Sequence, residues 1–181
     1  MIKGLVFDKD GTLFDFNATW GAWTRGMIAS EVKHDQGRID ALANALGFDL
    51  EGGVFWPGSI VIAETVDVIA DVMLEHLPDV RKPDLIDRMR NEAKKVPQVQ
   101  AAPLWPLLHE IKEMGIVIGV ATNDAEDPAR AHLAAADVLD LFDFVAGYDS
   151  GYGGKPERPL ADVVLASIAD IPAWITRQNR S

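Results

Sequence analysis

There is no cysteine in the 181 residues. That absence removes disulfides, thiolate nucleophiles and cysteine metal sites together, and it suits a reducing compartment. Positive charge is also short, with 17 Lys and Arg against 28 Asp and Glu and a formal net charge of −11. With no basic stripe to displace phosphate counterions, unaided nucleic-acid binding is not expected, and a phosphate-bearing ligand would depend on a few local cations. No apolar run approaches 18 uncharged residues, and Met1 to Gly4 lead straight into a strand pattern. Neither a membrane span nor a signal peptide is visible, so the expected location is cytoplasmic. Histidine is scarce: His34, His76, His109 and His132 have no metal-ligand spacing and read as surface or capping residues.

What is present suits an ordinary globular chain, at 48% hydrophobic and 25% charged residues. The length allows one domain, or one domain carrying an insertion. Residues 4–7 form a short buried-strand pattern, and "IVIGVAT", Ile116 to Thr122, forms a second. A helical pattern over 104–114, stopped by Gly115, precedes that second strand. "FDFVAGY", Phe142 to Tyr148, is a third strand pattern, after a helical stretch at 127–140 with Pro128 in its first turn. Strands alternating with helices in units of this size predict a parallel α/β sheet covered on both faces, with ligands beyond the strands' carboxyl ends. Between the first strand and that helix, three- and four-residue apolar spacing in 31–47, 59–77 and 83–96 predicts an inserted helical subdomain. The expected division is 1–14 with 98–181 as α/β core and 15–97 as helical cap.

The stretch "LVFDKDGTLFD", Leu5 to Asp15, places two carboxylates and a lysine at the end of an apolar run. Ionised carboxylates at the edge of a low-dielectric interior require a cation or hydrogen-bond donors. Extended alternation would put Asp8 and Asp10 on one side and direct Lys9 to the other. Two carboxylates so placed can address one substrate or one hard cation, while Gly11 permits a close turn and Thr12 offers a hydroxyl.

"VFDKDGTLFD" resembles the first motif of the haloacid-dehalogenase superfamily of phosphohydrolases, DxDGT at the end of the first strand. "VIGVATND" resembles the second motif, with Thr122 after an apolar strand, and "GYGGKPERP" the third, with Lys155 before Pro156. A P-loop reading of "GYGGK" fails, because Asp149 and Pro156 stand where Gly and Ser or Thr are needed. Over residues 1–160 the chain is similar to phosphoglycolate phosphatases in cap position and in "GGKP". The resemblance implies a three-layer Rossmann-like parallel sheet with an inserted helical cap. It also implies a phosphatase for a small phosphorylated metabolite such as 2-phosphoglycolate, using Mg2+. Asp8 would then be the nucleophile and Asp10 the general acid and base. Thr122 and Lys155 would hold the transferred phosphoryl group and the charge on Asp8, and Lys9, Gly11, Thr12 and Asn123 would contribute substrate contacts. The metal would take Asp8 and Asp10.

The family's fourth motif, an acidic pair after the lysine, has no counterpart in "IPAWITRQNRS", Ile171 to Ser181. Asp149, near the end of the third strand, is the preferred substitute ligand over Asp162 and Asp170, which fall in or after a helical pattern at 159–168. The alternative is a weakened or inactive phosphate- or partner-binding relative. The tryptophans Trp20, Trp23, Trp56 and Trp105 read with Phe55 as cap and hinge packing, with Asn17, Trp20 and Arg25 facing the substrate in a further reading. Oligomeric state is left open.

Overall fold

A computed structural model describes residues 2–33, 35–155 and 168–178. Strands β1 (Gly4–Phe7), β4 (Val117–Ala121) and β5 (Phe144–Ala146) form a parallel sheet in the order β1-β4-β5. Register is set by Leu5 opposite Ile118, Phe7 opposite Val120 and Val120 opposite Val145. Because side chains alternate, these residues share one sheet face. They join Leu104, Leu108 and Ile111 of α6 (Leu104–Glu113), Ala129 and Leu133 of α7 (Glu126–Ala135) and Ile175 of α8 (Ile171–Gln178) in one apolar cluster. On the opposite face Val6, Val117 and Phe144 are 46%, 51% and 43% exposed.

A second cluster belongs to the inserted helical cap. It joins Trp20 and Ile28 of α1 (Phe16–Val32), Leu42 of α2 (Gln36–Leu46), Met73 of α4 (Val66–Leu74) and Leu85 and Met89 of α5 (Lys82–Ala93). A two-residue hairpin, β2 (Phe48–Asp49) and β3 (Val54–Phe55), and the single turn α3 (Ile60–Ala63) complete this part. Helix α1 starts where the Asp15 side chain accepts the Ala18 N–H at 2.8 Å, and α2 where Asp35 accepts from Arg38 N–H at 3.1 Å. Chain entry and exit lie side by side: Asp15 N–H donates to Val99 C=O at 2.8 Å and Ala101 N–H to Leu13 C=O at 2.9 Å.

The parallel α/β sheet with a helical insertion therefore matches expectation, while several boundaries differ. The pattern over 31–47 spans two helices, because Lys33 takes a left-handed φ of 43° and Asp35 caps a new start. The pattern over 59–77 breaks at Glu64 and Thr65 between α3 and α4. Helix α7 stops at Ala135, short of 140, and Asp137 beyond it has φ 55°. The third strand shortens to three residues. The expected helix at 159–168 and Asp162 lie outside the described residues except for Ile168, which opens a 3-10 turn reaching Asp170.

Candidate active site

Strand β1 ends at Phe7, and the chain at once folds back on itself. Leu13 and Phe14 N–H both donate to Lys9 C=O, at 2.9 and 3.1 Å, and Gly11 N–H donates to Phe14 C=O at 2.8 Å. Gly11 sits at φ 77°, a region that a side chain would disfavour. The turn returns Leu13 and Phe14 to the core with no exposed surface and leaves Asp8 at the strand end, its side chain 48% exposed. Lys155 Nζ lies 2.5 Å from Asp8 Oδ1.

Extended alternation does not hold beyond Phe7, and this corrects the expected direction of Lys9. Its side chain is fully buried and its ammonium reaches Asp10 Oδ1 at 2.8 Å, His132 Nδ1 at 3.2 Å and Asp124 Oδ2 at 3.5 Å. Asp10 Oδ1 also accepts the Trp20 indole N–H at 2.8 Å. His132 spans to the cap: its Nε2 lies 2.7 Å from Ala93 C=O at the end of α5. The geometry assigns the proton to Nε2, leaving Nδ1 to accept from Lys9. Burial, reinforced by the Lys9 charge, pulls the His132 pKa down to about 4. Burial pushes the Asp124 carboxyl up to about 6, with Lys9 opposing and Asp10 assisting. The reading of His132 as a surface residue is thereby overturned, since it is 1% exposed, while its bond to the last carbonyl of α5 is a capping contact.

Three consecutive residues after β4 complete the floor. Thr122 is buried, with its N–H on Ala146 C=O at 2.9 Å and its Oγ1 accepting from Asp124 N–H at 3.1 Å. The hydroxyl proton of Thr122 is thus available to a ligand. The Asn123 side chain clasps Lys155, accepting its N–H at 2.6 Å and donating to its C=O at 3.0 Å, and also donates to Ala63 C=O at 2.5 Å. Asn123 therefore orients Lys155 and ties the core to α3.

A cavity of about 420 Å3 opens above this floor, between sheet and cap. Asp8, Asp10, Thr122, Asn123, Asp124 and Lys155 form its polar end, and cap residues form the rest. Lys9, Gly11 and Thr12 do not line it. Asp149 does not either: it accepts Glu126 N–H at 2.9 Å at the start of α7 and lies 3.8 Å from Arg90. Of the residues read as facing the substrate, Trp20 lines the cavity, while Asn17 accepts Phe55 N–H at 3.0 Å and Arg25 reaches Glu51 C=O at 3.4 Å. Sequence reasoning missed Asp124, Arg90 and the bridging His132. Asp124 stands two residues after Thr122, where any acid merits inspection, and His132 falls on the apolar stripe of Ala129 and Leu133.

The oxygen donors of Asp8 and Asp10 suit a hard cation, yet among the described residues no three His, Asp or Glu side chains converge on one metal position. Magnesium often binds through one or two carboxylates, water and the substrate phosphate, so this donor set fits a metal that arrives with its substrate.

A family model for haloacid dehalogenase-like hydrolases matches residues 2–166. None of the curated proteins matches the sequence significantly. Among solved structures, a predicted phosphoglycolate phosphatase from Haemophilus somnus superposes with TM-score 0.59 at 17% identity, over 86% of this chain and 66% of that one. CbbY from Rhodobacter sphaeroides, in complex with phosphate, gives TM-score 0.56 at 19% identity, over 84% and 67%. L-2-haloacid dehalogenase from Xanthobacter autotrophicus gives 0.47 at 20% identity, over 87% of this chain and 61% of that one. The chain spans roughly two thirds or less of the length of these proteins.

Proposed function

This chain belongs to the haloacid dehalogenase-like hydrolases, and we propose that it hydrolyses a phosphate monoester through an aspartyl-phosphate on Asp8. The observation that carries this reading is the pairing of Lys155 with Asp8 Oδ1 at the polar end of the cavity, beside Thr122 and a second carboxyl, Asp10. With Oδ1 held, Oδ2 of Asp8 attacks phosphorus in line and the ester P–O bond breaks. The departing alkoxide takes a proton from Asp10. Lys9 and Trp20 fix Asp10 through Oδ1, which leaves Oδ2 to carry that proton. Water then attacks the phosphorus of the aspartyl-phosphate, Asp10 removes its proton, and inorganic phosphate leaves with Asp8 regenerated. Thr122 and Lys155 supply fixed donors for the charge that develops on the phosphoryl oxygens.

Held by Asp8 and the Asp10 carbonyl, magnesium would supply charge neutralisation between the nucleophile and the incoming dianion. The second acid favours an ester over an organic halide, because an alkoxide needs a proton to leave and a halide does not. A small ester such as 2-phosphoglycolate is the substrate that the resemblance implies.

The test is release of phosphate from p-nitrophenyl phosphate with and without Mg2+, beside Asp8→Asn. The expected loss for that variant is about a thousandfold or more. A single turnover in 18O-water should place the label in the released phosphate and none in Asp8, because water attacks phosphorus, and label in Asp8 or undiminished Asp8→Asn activity would overturn the proposal. The lack of a three-acid metal cluster among the described residues favours a second reading, phosphate binding without turnover. That reading expects thermal stabilisation by phosphate with none released.

A further inference from the structure

The cap side of the cavity is largely apolar. Phe16, Trp20, Trp23, Val66, Ile69 and Met89 form its walls, and Ile62, half exposed, stands among the lining residues. The volume of about 420 Å3 falls within the range that encloses drug-sized ligands, roughly 300–1,000 Å3. A phosphate bearing a two-carbon acid would leave most of that space to water against apolar walls.

Two donors at the cap side lack partners. Trp23 Nε1 and Arg90 Nε are buried with no hydrogen-bond acceptor among the described residues, and both residues line the cavity. Buried donors are seldom left unpaired, so a small rotation of either side chain toward the cavity lets a ligand with an acceptor at its far end satisfy them. Arg90 is itself anchored from behind, its guanidinium on the Tyr148 hydroxyl and 3.8 Å from Asp149.

We propose, building on the phosphatase reading above, that the substrate is the phosphate ester of a bulky, largely apolar alcohol, aryl or medium-chain alkyl, with a hydrogen-bond acceptor at the end remote from the phosphate. The phosphate meets Asp8, Thr122 and Lys155; the hydrocarbon fills the space between α1, α4 and α5; the remote acceptor takes the N–H groups of Trp23 and Arg90. Specificity then resides in the cap walls, and the core supplies chemistry alone.

The experiment uses two matched series on the full chain. Binding of ethyl-, butyl-, hexyl- and octylphosphonate, which cannot be hydrolysed, is measured by calorimetry, and kcat/KM is measured for the corresponding alkyl phosphates and for 2-phosphoglycolate. Affinity and kcat/KM should each rise about fourfold per methylene until the cavity is full. Val66→Phe, which narrows the cavity, should move the optimum to a shorter chain. Arg90→Gln should weaken ω-hydroxyalkylphosphonates more than the plain alkyl ones. Phosphonate affinity that climbs with chain length while no ester releases phosphate would retain this inference and overturn the phosphatase reading. Flat affinity along the series, with 2-phosphoglycolate the best substrate, would overturn this inference and retain the phosphatase. Flat affinity with no turnover of any ester would overturn both.

Discussion

An ammonium with no exposed surface needs anions around it, and Lys9 has Asp10 and Asp124 on one side and a neutral imidazole on another. Lys9→Met would leave two carboxylates facing each other without their shared cation. Breaking a buried pair from one side costs about 3–5 kcal/mol, and urea unfolding should register a loss of that order. His132 adds a pH dependence whose sign is fixed by its depressed pKa. The unfolded chain takes up this proton near pH 6.5 and the folded chain only near 4, so His132 is neutral in both states above that window and costs nothing. As pH falls through the window the unfolded chain gains protons first and stability declines, by about 2 kcal/mol at pH 5. Asp124 works in the opposite sense, since its raised pKa of about 6 lets the folded chain hold a proton that the unfolded one releases. Comparing the protein with His132→Gln removes that shared contribution. Their difference in unfolding free energy should shrink by about 2 kcal/mol between pH 7 and pH 5, and a pH-independent gap would show that His132 is not held neutral.

Among the elements, β4 has the tightest fit. A Cβ built on Gly119 would lie 2.1 Å from the Phe144 ring across the β4–β5 ladder. Gly119→Ala should therefore destabilise by about 1–3 kcal/mol. The double variant with Phe144→Ala should recover part of that loss, and strict additivity in thermal unfolding would contradict the clash. The same strands explain what could be read in advance. β1 and β4 are short apolar runs ended by turn and chemistry residues, and Gly115 stops α6 at a φ of 75°, so their positions follow from composition. Helix α1 escaped because Trp20, Trp23 and Met27 are interleaved with Gly21, Thr24 and Gly26, which blurs the apolar stripe. The hairpin of β2 and β3 escaped because two residues per strand carry no measurable alternation. Site residues with a motif around them, Asp8, Asp10, Thr122 and Lys155, were legible. Arg90, Trp23 and His132 were not, because their placement comes from the closeness of cap and core, a long-range fact with no local signature.

At the scale of the molecule, two apolar clusters meet across a polar seam. Asn123, His132 and Arg90 hold that seam by reaching Ala63, Ala93 and Tyr148 respectively across it. Asn123→Ala should free both α3 and the Lys155 backbone. Amide hydrogen exchange should then quicken around residues 60–66 with little change in β1 and β4, and uniform protection across both lobes would argue against a local clasp. The paired crossings at Asp15–Val99 and Leu13–Ala101 bear on something else, the modular history and engineering of the chain. Topologically, residues 16–98 are the loop of a single hairpin as far as the α/β lobe is concerned. Closing such a loop costs only about 0.6 kcal/mol more for each doubling of its length. The closure entropy of the α/β lobe is therefore nearly indifferent to how long a segment is spliced in at that gate, so a lid of another size can be grafted between Asp15 and Val99 provided that it again meets Asp10, Asn123 and His132 as Trp20, Ala63 and Ala93 do.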